Sequence, residues 1–292
     1  MENLAQYPFS PKTITINGNR LSYLDEGQGP VLVMLHGNPS WSYLYRNLVS
    51  HLRDRFRIIV PDHMGCGFSD KPQDYAYTLR THIDNLTTLL DHLDVEQCSL
   101  VVHDWGGAIG MGWAVDHPEK VDKICVLNTA AFLSKRIPLR INICRIPVVG
   151  KMIVQGCNGF AWPATFMAVT KKMTKEVAQG FLYPYDSWAH RIATHRFVLD
   201  IPLQKKHPSW PDLAHIDKSL AKLKGKPMLL CWGGKDFCFN DHFYKEWQHR
   251  FPAAQCHYFP AAGHYILEDA FDEVAPLIDK FFSNSKSSAD EF

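Results

Sequence analysis

The feature that most constrains this chain is a recurring alternation of short apolar runs, rich in β-branched residues, with longer stretches that carry apolar residues at helical spacing. The runs are VLVML (Val31 to Leu35), RIIVP (Arg57 to Pro61), SLVVH (Ser99 to His103), ICVLN (Ile124 to Asn128), PMLLCW (Pro227 to Trp232) and QCHYF (Gln255 to Phe259). Leu79 to Leu93, Gly107 to His117 and Tyr265 to Phe282 show the helical pattern. Strand-length runs alternating with helices predict an α/β fold, a mainly parallel sheet with crossover helices. An opening pair, Thr13 to Ile16 and Arg20 to Leu24 around Asn17-Gly18, reads as an antiparallel hairpin.

From about Phe132 to Leu213 the rhythm stops. That interval is rich in aromatics, Met and Pro and has no clear strand. It predicts a helical cap, residues 132–213, inserted after the sixth strand into a core built from 1–131 and 214–282. The polar tail SNSKSSADEF, residues 283–292, is expected to be disordered. With 292 residues and 46% apolar side chains the chain can bury the core of one large domain carrying an insertion.

Charge and cysteine usage exclude several functions. Lys+Arg 31 against Asp+Glu 30 leaves a net charge of +1, so the total gives no electrostatic case for nucleic acid or an anionic membrane. No apolar run is long enough to cross a bilayer, and MENLAQYPFS lacks a basic stretch followed by an apolar one; a cytoplasmic protein is expected. The 8 cysteines are scattered without a CxxC pair and are expected to be reduced. The 15 histidines include no HExxH or paired Cys/His spacing, so no metal site is expected.

Ser99 to Gly110, SLVVHDWGGAIG, predicts a buried strand, a sharp turn and a helix. A side chain at such a turn stands exposed on top of the sheet, over a helix N-terminus. This is the nucleophile elbow of α/β hydrolases, usually G-x-S-x-G. Asp104 takes the nucleophile's place and Gly106 the following small position, while Val102 replaces the first glycine. On this segment alone, Asp104 serves equally well as an N-cap for a helix starting at Trp105. Two further residues tip the balance. Asp236, in CWGGKDFCF, follows an apolar strand, and His264, in PAAGHYILED, follows the last strand. Nucleophile, acid and base in that chain order, each at the C-terminal end of a strand, point to a triad. His36-Gly37-Asn38 follows a strand where a second oxyanion-hole amide belongs. Backbone N–H groups of Asn38 and Trp105 would face an intermediate, and their side-chain N–H groups would face a leaving group. The plainer reading makes Asn38-Pro39 a turn and Trp105 a packing residue.

Over nearly its whole length the chain resembles the haloalkane dehalogenase family. The residues that carry the likeness are HGNPSWSYLYR (His36 to Arg46), PDHMGCGFSDKP (Pro61 to Pro72), VVHDWGG (Val101 to Gly107) and AGHYILED (Ala262 to Asp269). HGNP together with HDWGG is the specific combination, since HDWGG alone also fits epoxide hydrolases. The resemblance implies an α/β-hydrolase fold, Asp104 as nucleophile, His264 as base, Asp236 as acid, Asn38 with Trp105 as the halide-binding pair, and no cofactor. Some members carry the acid after the sixth strand; here that region reads VLNTAAF, with Asn128 and no carboxylate nearby. VLNTAAF, PYDSWAHRIATHRFVLDIPL (Pro184 to Leu203) and the late acid look most like a subgroup that includes the β-lactone decarboxylases of bacterial long-chain olefin synthesis. That likeness brings in the possibility of assembly with other enzymes of olefin synthesis.

An aspartate nucleophile has its own chemical logic. Serine attacking a saturated carbon would form an ether that the enzyme could not cleave, whereas aspartate forms an ester that water can open. The expected activity is therefore attack at sp³ carbon of a small apolar substrate through a covalent ester. Haloalkane hydrolysis to alcohol and halide is the first reading; cis-β-lactone conversion to alkene and carbon dioxide, with a carboxylate leaving group, is the alternative. Epoxide hydrolysis is more remote: it needs an acid over the site, for which Tyr183 and Tyr185 are the candidates, and Asn38 argues against it. A non-catalytic binding module on the same fold would usually lose a triad member, and here none is missing. Trp162, Phe166, Met167, Phe181 and Trp188 of the cap are expected to line an apolar pocket over Asp104.

Overall fold

The computed structural model describes residues 4–284. Eight strands form one sheet: β1 (Lys12–Ile16), β2 (Asn19–Glu26), β3 (Val31–Leu35), β4 (Arg57–Pro61), β5 (Cys98–His103), β6 (Val121–Leu127), β7 (Met228–Gly233) and β8 (Gln255–Phe259). Their spatial order is β1-β2-β4-β3-β5-β6-β7-β8. The first two strands pair antiparallel, as the Asn17-Gly18 turn predicts, and β2 joins β4 antiparallel. All pairings from β4 to β8 are parallel. β5 and β7 are buried at every position, as strands covered on both faces must be. Parallel pairing brings the C-terminal ends of the strands to one edge. Leu35 sits opposite Val102 and His103 opposite Leu127, so the loops that leave β3, β5 and β6 emerge side by side.

Helix α1 (Arg46–Leu52) packs against the last helix, Phe271–Ser283, while α2 (Leu79–His92) and α3 (Trp105–Asp116) pack on the sheet and on each other. Thr78 caps α2 by accepting the N–H of Thr81, and Leu79, Ile83, Leu86, Leu89 and Leu90 form its buried face. Helix α3 begins at Trp105, two residues before the apolar pattern that announces it, because the elbow turn itself starts the helix.

Between β6 and β7 the described chain forms helices only: α4 (Leu139–Ile143), α5 (Val149–Lys151), which runs on into a π-helical turn (Met152–Gly156), α6 (Ala161–Met167), α7 (Lys175–Leu182), α8 (Ile192–Leu199) and α9 (Trp210–Ser219), with short 3₁₀ turns. The expected 213/214 cap boundary falls inside α9, which packs on α2 and α3. A small core of its own, Cys144, Val154 and Val198 with Ile141, Ile153 and Phe160 against them, holds the first half of this insertion together.

Helix α10 (Asp241–Arg250) precedes β8. The single helix expected over Tyr265 to Phe282 is instead two, α11 (Ile266–Asp269) and α12 (Phe271–Ser283), because Ala270 leaves the helical region at φ −136°, ψ 33°. The cause lies in Asp269. Its carboxylate turns back to accept N–H groups of Gly263 (2.7 Å), Thr170 (2.9 Å) and Lys171 (2.8 Å), which ties the loop ahead of α11 to the insertion. Residues 285–292 of the expected tail lie outside the described residues, and Ser283 closes α12.

Candidate active site

Asp104 directly follows β5 at φ 50°, ψ −126°, a left-handed conformation that strains a residue with a Cβ by about 1–3 kcal/mol. Its surroundings keep it there. Thr129 Oγ1 donates a hydrogen bond to its carbonyl oxygen. A Cβ on Gly37 would lie 2.1 Å from Asp104 Oδ1, and one on Gly106 would lie 2.0 Å from the Leu35 carbonyl oxygen. Only glycine lets the loops after β3 and β5 approach this closely.

The carboxylate does not cap α3 with a side-chain hydrogen bond. Oδ1 instead accepts the Asn38 backbone N–H at 2.7 Å, and Oδ2 stands 3.6 Å from His264 Nε2. Burial raises the pKa of this carboxyl, against the charge of His264 and the N–H groups of Asn38 and Trp105, which favour the anion. One oxygen is thus held by the Asn38 amide and the other is left open toward His264.

His264 Nδ1 lies 2.7 Å from Asp236 Oδ2. Burial disfavours the imidazolium, but the charge and hydrogen bond of Asp236, with the charge of Asp104, overcome it and raise the pKa of the ring. Asp236 is held in turn. Its Oδ1 accepts the N–H groups of Cys238 (2.6 Å) and Phe239 (3.1 Å), and its Oδ2 also accepts Asn128 Nδ2 at 3.0 Å. Burial works against this charge, yet His264 and these donors keep the Asp236 carboxyl below its ordinary pKa. The His264 ring lies against Phe239 and His103, and His103 Nε2 bonds the His264 carbonyl oxygen at 2.9 Å.

Asn128 has more to do than its type suggests. At φ 34°, just past β6, it exchanges both of its amide atoms with the backbone of Gly233 (Nδ2 to O 3.1 Å, N to Oδ1 2.8 Å) while holding Asp236. It knots the end of β6 to the end of β7 and aims the acid. Its sequence signal was its place, the post-β6 position where related enzymes put a carboxylate; its partners were not visible. Thr129 and Asp269 gave no comparable signal.

Above Asp104 lies a cavity of about 290 Å³. Asn38 and Trp105 line it, and the rest of its wall is largely apolar, including Phe239 and Phe243 from the core and Phe132, Ile141, Pro163, Val198 and Leu213 from the interval between β6 and β7. The Asn38 side chain is not wholly free: Nδ2 donates to the Thr194 carbonyl at 3.0 Å, and Oδ1 is buried without a partner among the described residues.

Of the five insertion residues expected in the wall, Met167 is there. Trp162 and Phe166 are 56% and 53% exposed on the outer side of α6, one turn apart with rings 5.1 Å from each other, because the inward side of that helix is taken by Pro163, Ala164 and Met167. Phe181 is buried elsewhere, stacked on Tyr265 at 5.0 Å, and Trp188 sits at the surface over Lys151. Tyr185 points to the Ser40 carbonyl and Tyr183 packs on Phe68. Neither tyrosine lines the cavity, so neither of the two expected residues stands where epoxide opening would need an acid; the tyrosine in the described wall is the buried Tyr265.

Comparison with known proteins shows the family to which this fold belongs. A family model for the α/β-hydrolase fold covers residues 30–142. The chain is 47% identical over 289 residues, 97% of this chain and 91% of the relative, to a cis-3-alkyl-4-alkyloxetan-2-one decarboxylase of Shewanella oneidensis. It is 31% identical over 280 residues, 94% of this chain and 96% of the relative, to haloalkane dehalogenase 2 of Mycobacterium bovis. Among solved structures, haloalkane dehalogenase DatA from Agrobacterium tumefaciens matches with a TM-score of 0.82 at 25% identity, covering 93% of this chain and 95% of that one. With its elbow aspartate, its late acid and relatives that match it almost end to end, the chain belongs to the α/β-hydrolase family that unites the cis-3-alkyl-4-alkyloxetan-2-one decarboxylases and the haloalkane dehalogenases.

Proposed function

We propose that this chain is a cis-β-lactone decarboxylase that converts 3-alkyl-4-alkyloxetan-2-ones to an alkene and carbon dioxide, with Asp104 as the nucleophile. The observation that carries this reading is the 47% identity to a decarboxylase along 97% of the chain, against 31% to a dehalogenase. The order of the two sequence-based readings is thereby reversed. An apolar cavity closed over a single open carboxylate oxygen suits a substrate whose only polar part is its four-membered ring.

In this mechanism Asp104 Oδ2 attacks the ring carbon that bears the ring oxygen. The C–O bond breaks, its electron pair leaves on oxygen as a carboxylate, and ring strain drives the step. The N–H groups of Trp105 Nε1 and Asn38 Nδ2 receive the developing charge, while the backbone amides of Asn38 and Trp105 hold the other ester oxygen. The new carboxylate then leaves as carbon dioxide. Its electron pair forms the C=C bond and expels Asp104, which returns as a free carboxylate. Inversion in the first step and anti departure in the second give the cis alkene. Water is not consumed.

That last point provides the test. Turnover of a cis-3,4-dialkyl lactone in ¹⁸O-water should yield one alkene per lactone, no β-hydroxy acid and no label in the Asp104 peptide. A β-hydroxy acid, or label in Asp104, would overturn the reading and indicate hydrolysis. The second reading, dehalogenation, has its own support in Trp105 Nε1, which makes no hydrogen bond to the described residues and stands beside the cavity. There His264 must act as a free base on water, so halide release should rise with pH through its raised pKa. His264→Ala should then stop that reaction at an alkyl-enzyme, but slow lactone turnover far less, because no proton is transferred there.

A further inference from the structure

We propose that the outer surface of the insertion between Lys135 and Met152 docks on an anionic lipid bilayer. The balanced total charge conceals a strong local bias. Eight of the 31 Lys and Arg, and none of the 30 Asp and Glu, fall within residues 131–175. Lys135, Arg136, Arg140 and Lys151 are exposed there. Large aliphatic residues stand exposed among them: Leu139 and Val148 are each 75% exposed, Met152 is 53% exposed, and Ile143, Ile146 and Val149 join them. These are not core residues left on the wrong side, because Cys144, Ile141 and Val154 of the same segment already turn inward onto Val198.

The backbone strengthens the case. Val148 is held at φ 65°, ψ −57° by a three-residue turn in which the Val149 N–H bonds the Pro147 carbonyl at 2.7 Å. A β-branched residue is strained in that conformation, and its exposed side chain returns no packing to the fold. Strain that holds an apolar side chain out in water suits a contact that removes it from water.

Aliphatic side chains flanked by cations and free of acids complement a lipid surface: the former enter the acyl boundary and the latter meet headgroup phosphates. Trp188, exposed over Lys151 at the edge of this patch, suits the headgroup level of the same surface. No helix among the described residues is long and apolar enough to cross a membrane, so the contact is interfacial. The cavity opens on this face, since the two exposed residues of its wall are Arg136 and Arg140. An apolar substrate dissolved in the bilayer would therefore enter beside these arginines without passing through water. That consequence rests on the proposed substrate class, but the docking does not.

The experiment is vesicle co-sedimentation of the full chain, with no turnover involved, so that its outcome is separate from that of the lactone assay. Binding to vesicles of phosphatidylglycerol and phosphatidylethanolamine should exceed binding to phosphatidylcholine vesicles by about tenfold or more, and fall at high salt. The triple variant Leu139→Glu, Val148→Glu, Met152→Glu should lose about tenfold or more of this binding, while turnover of a short, water-soluble substrate stays at the unmutated level. The dependence on headgroup and salt is measured on the unmutated protein, so it does not depend on how the variant folds. The proposal is overturned if the protein stays in the supernatant with anionic vesicles, if it binds both vesicle types equally, or if the triple variant binds normally. Self-association through this patch without vesicle binding would also overturn it, in favour of an interface between copies.

Discussion

The floor of the cavity and the insertion above it are built on opposite plans. In the floor, each functional side chain is held by groups from other strands: Asp104 by the Asn38 amide, Asp236 by Asn128, Cys238 and Phe239, and His264 by Asp236. Glycines set the spacing there to within a fraction of an ångström. In the insertion, short helices enclose a core of a few residues and leave much of their apolar surface outside. The floor has one arrangement that works, because a buried charge without its donors is costly. The insertion carries apolar residues on two sides, and only its inner side borders the site. The contrast teaches that precision here resides in backbone and hydrogen bonds, and selectivity in a wall that can vary.

The largest effect should come from a single methyl in the floor. Gly37→Ala places a Cβ against Asp104 Oδ1, which must shift. A misplacement of about 1 Å costs about 100-fold in rate, and overpacking costs about 1–3 kcal/mol of stability. Steady-state kcat/KM and urea unfolding measure the two together. A Gly37→Ala enzyme of normal activity would mean that the floor is compliant after all.

A smaller loss is expected at Asn128. Asn128→Ala leaves the Gly233 N–H and carbonyl, and one Asp236 oxygen, without this partner. Stability should fall by about 1–3 kcal/mol. In the dehalogenation reading, where His264 acts on water, kcat should fall by about tenfold, a barrier increase of about 1.4 kcal/mol, with KM little changed. Unfolding curves and a KM-against-kcat comparison check this. A change in KM alone would place Asn128 in the wall of the cavity instead of behind the acid.

The smallest effects should lie in the insertion, and there they should differ by side. Met167→Ala opens the cavity and should shift the preferred alkyl length toward longer chains by a few-fold in kcat/KM, about 1–3 kcal/mol at most for a methylene-scale change in pocket fit. Trp162→Ala, in the same helix but on the outside, should leave kcat/KM in solution unchanged and stability within about 0.5 kcal/mol. A chain-length series measured on both variants decides it. Equal shifts in the two would remove the distinction between inner and outer sides.

Read alone, the chain reveals its parallel sheet, its elbow and the order of aspartate, acid and base, because these are written in short-range patterns: strand-length apolar runs, a turn, the start of a helix. Short-range signals also place His264 and Asp236 after their strands. They do not say which face of a helix turns inward. Trp162 and Phe166 were expected in the cavity with Met167, and only the packing of α6 on its neighbours separates them. Nor could they show that Asn128 holds an acid 108 positions later, or that Asp269 reaches back 98 and 99 residues to Lys171 and Thr170 and breaks the last helix. The chain's net charge of +1 likewise conceals the basic, apolar face, since a sum carries no positions. A hydrogen bond or a burial event has no sequence signature until the fold brings its two partners within about 3 Å. Local pattern therefore set the framework and the order of the candidate residues, and tertiary packing decided which side chains line the cavity, which hold those that do, and which are left facing outward.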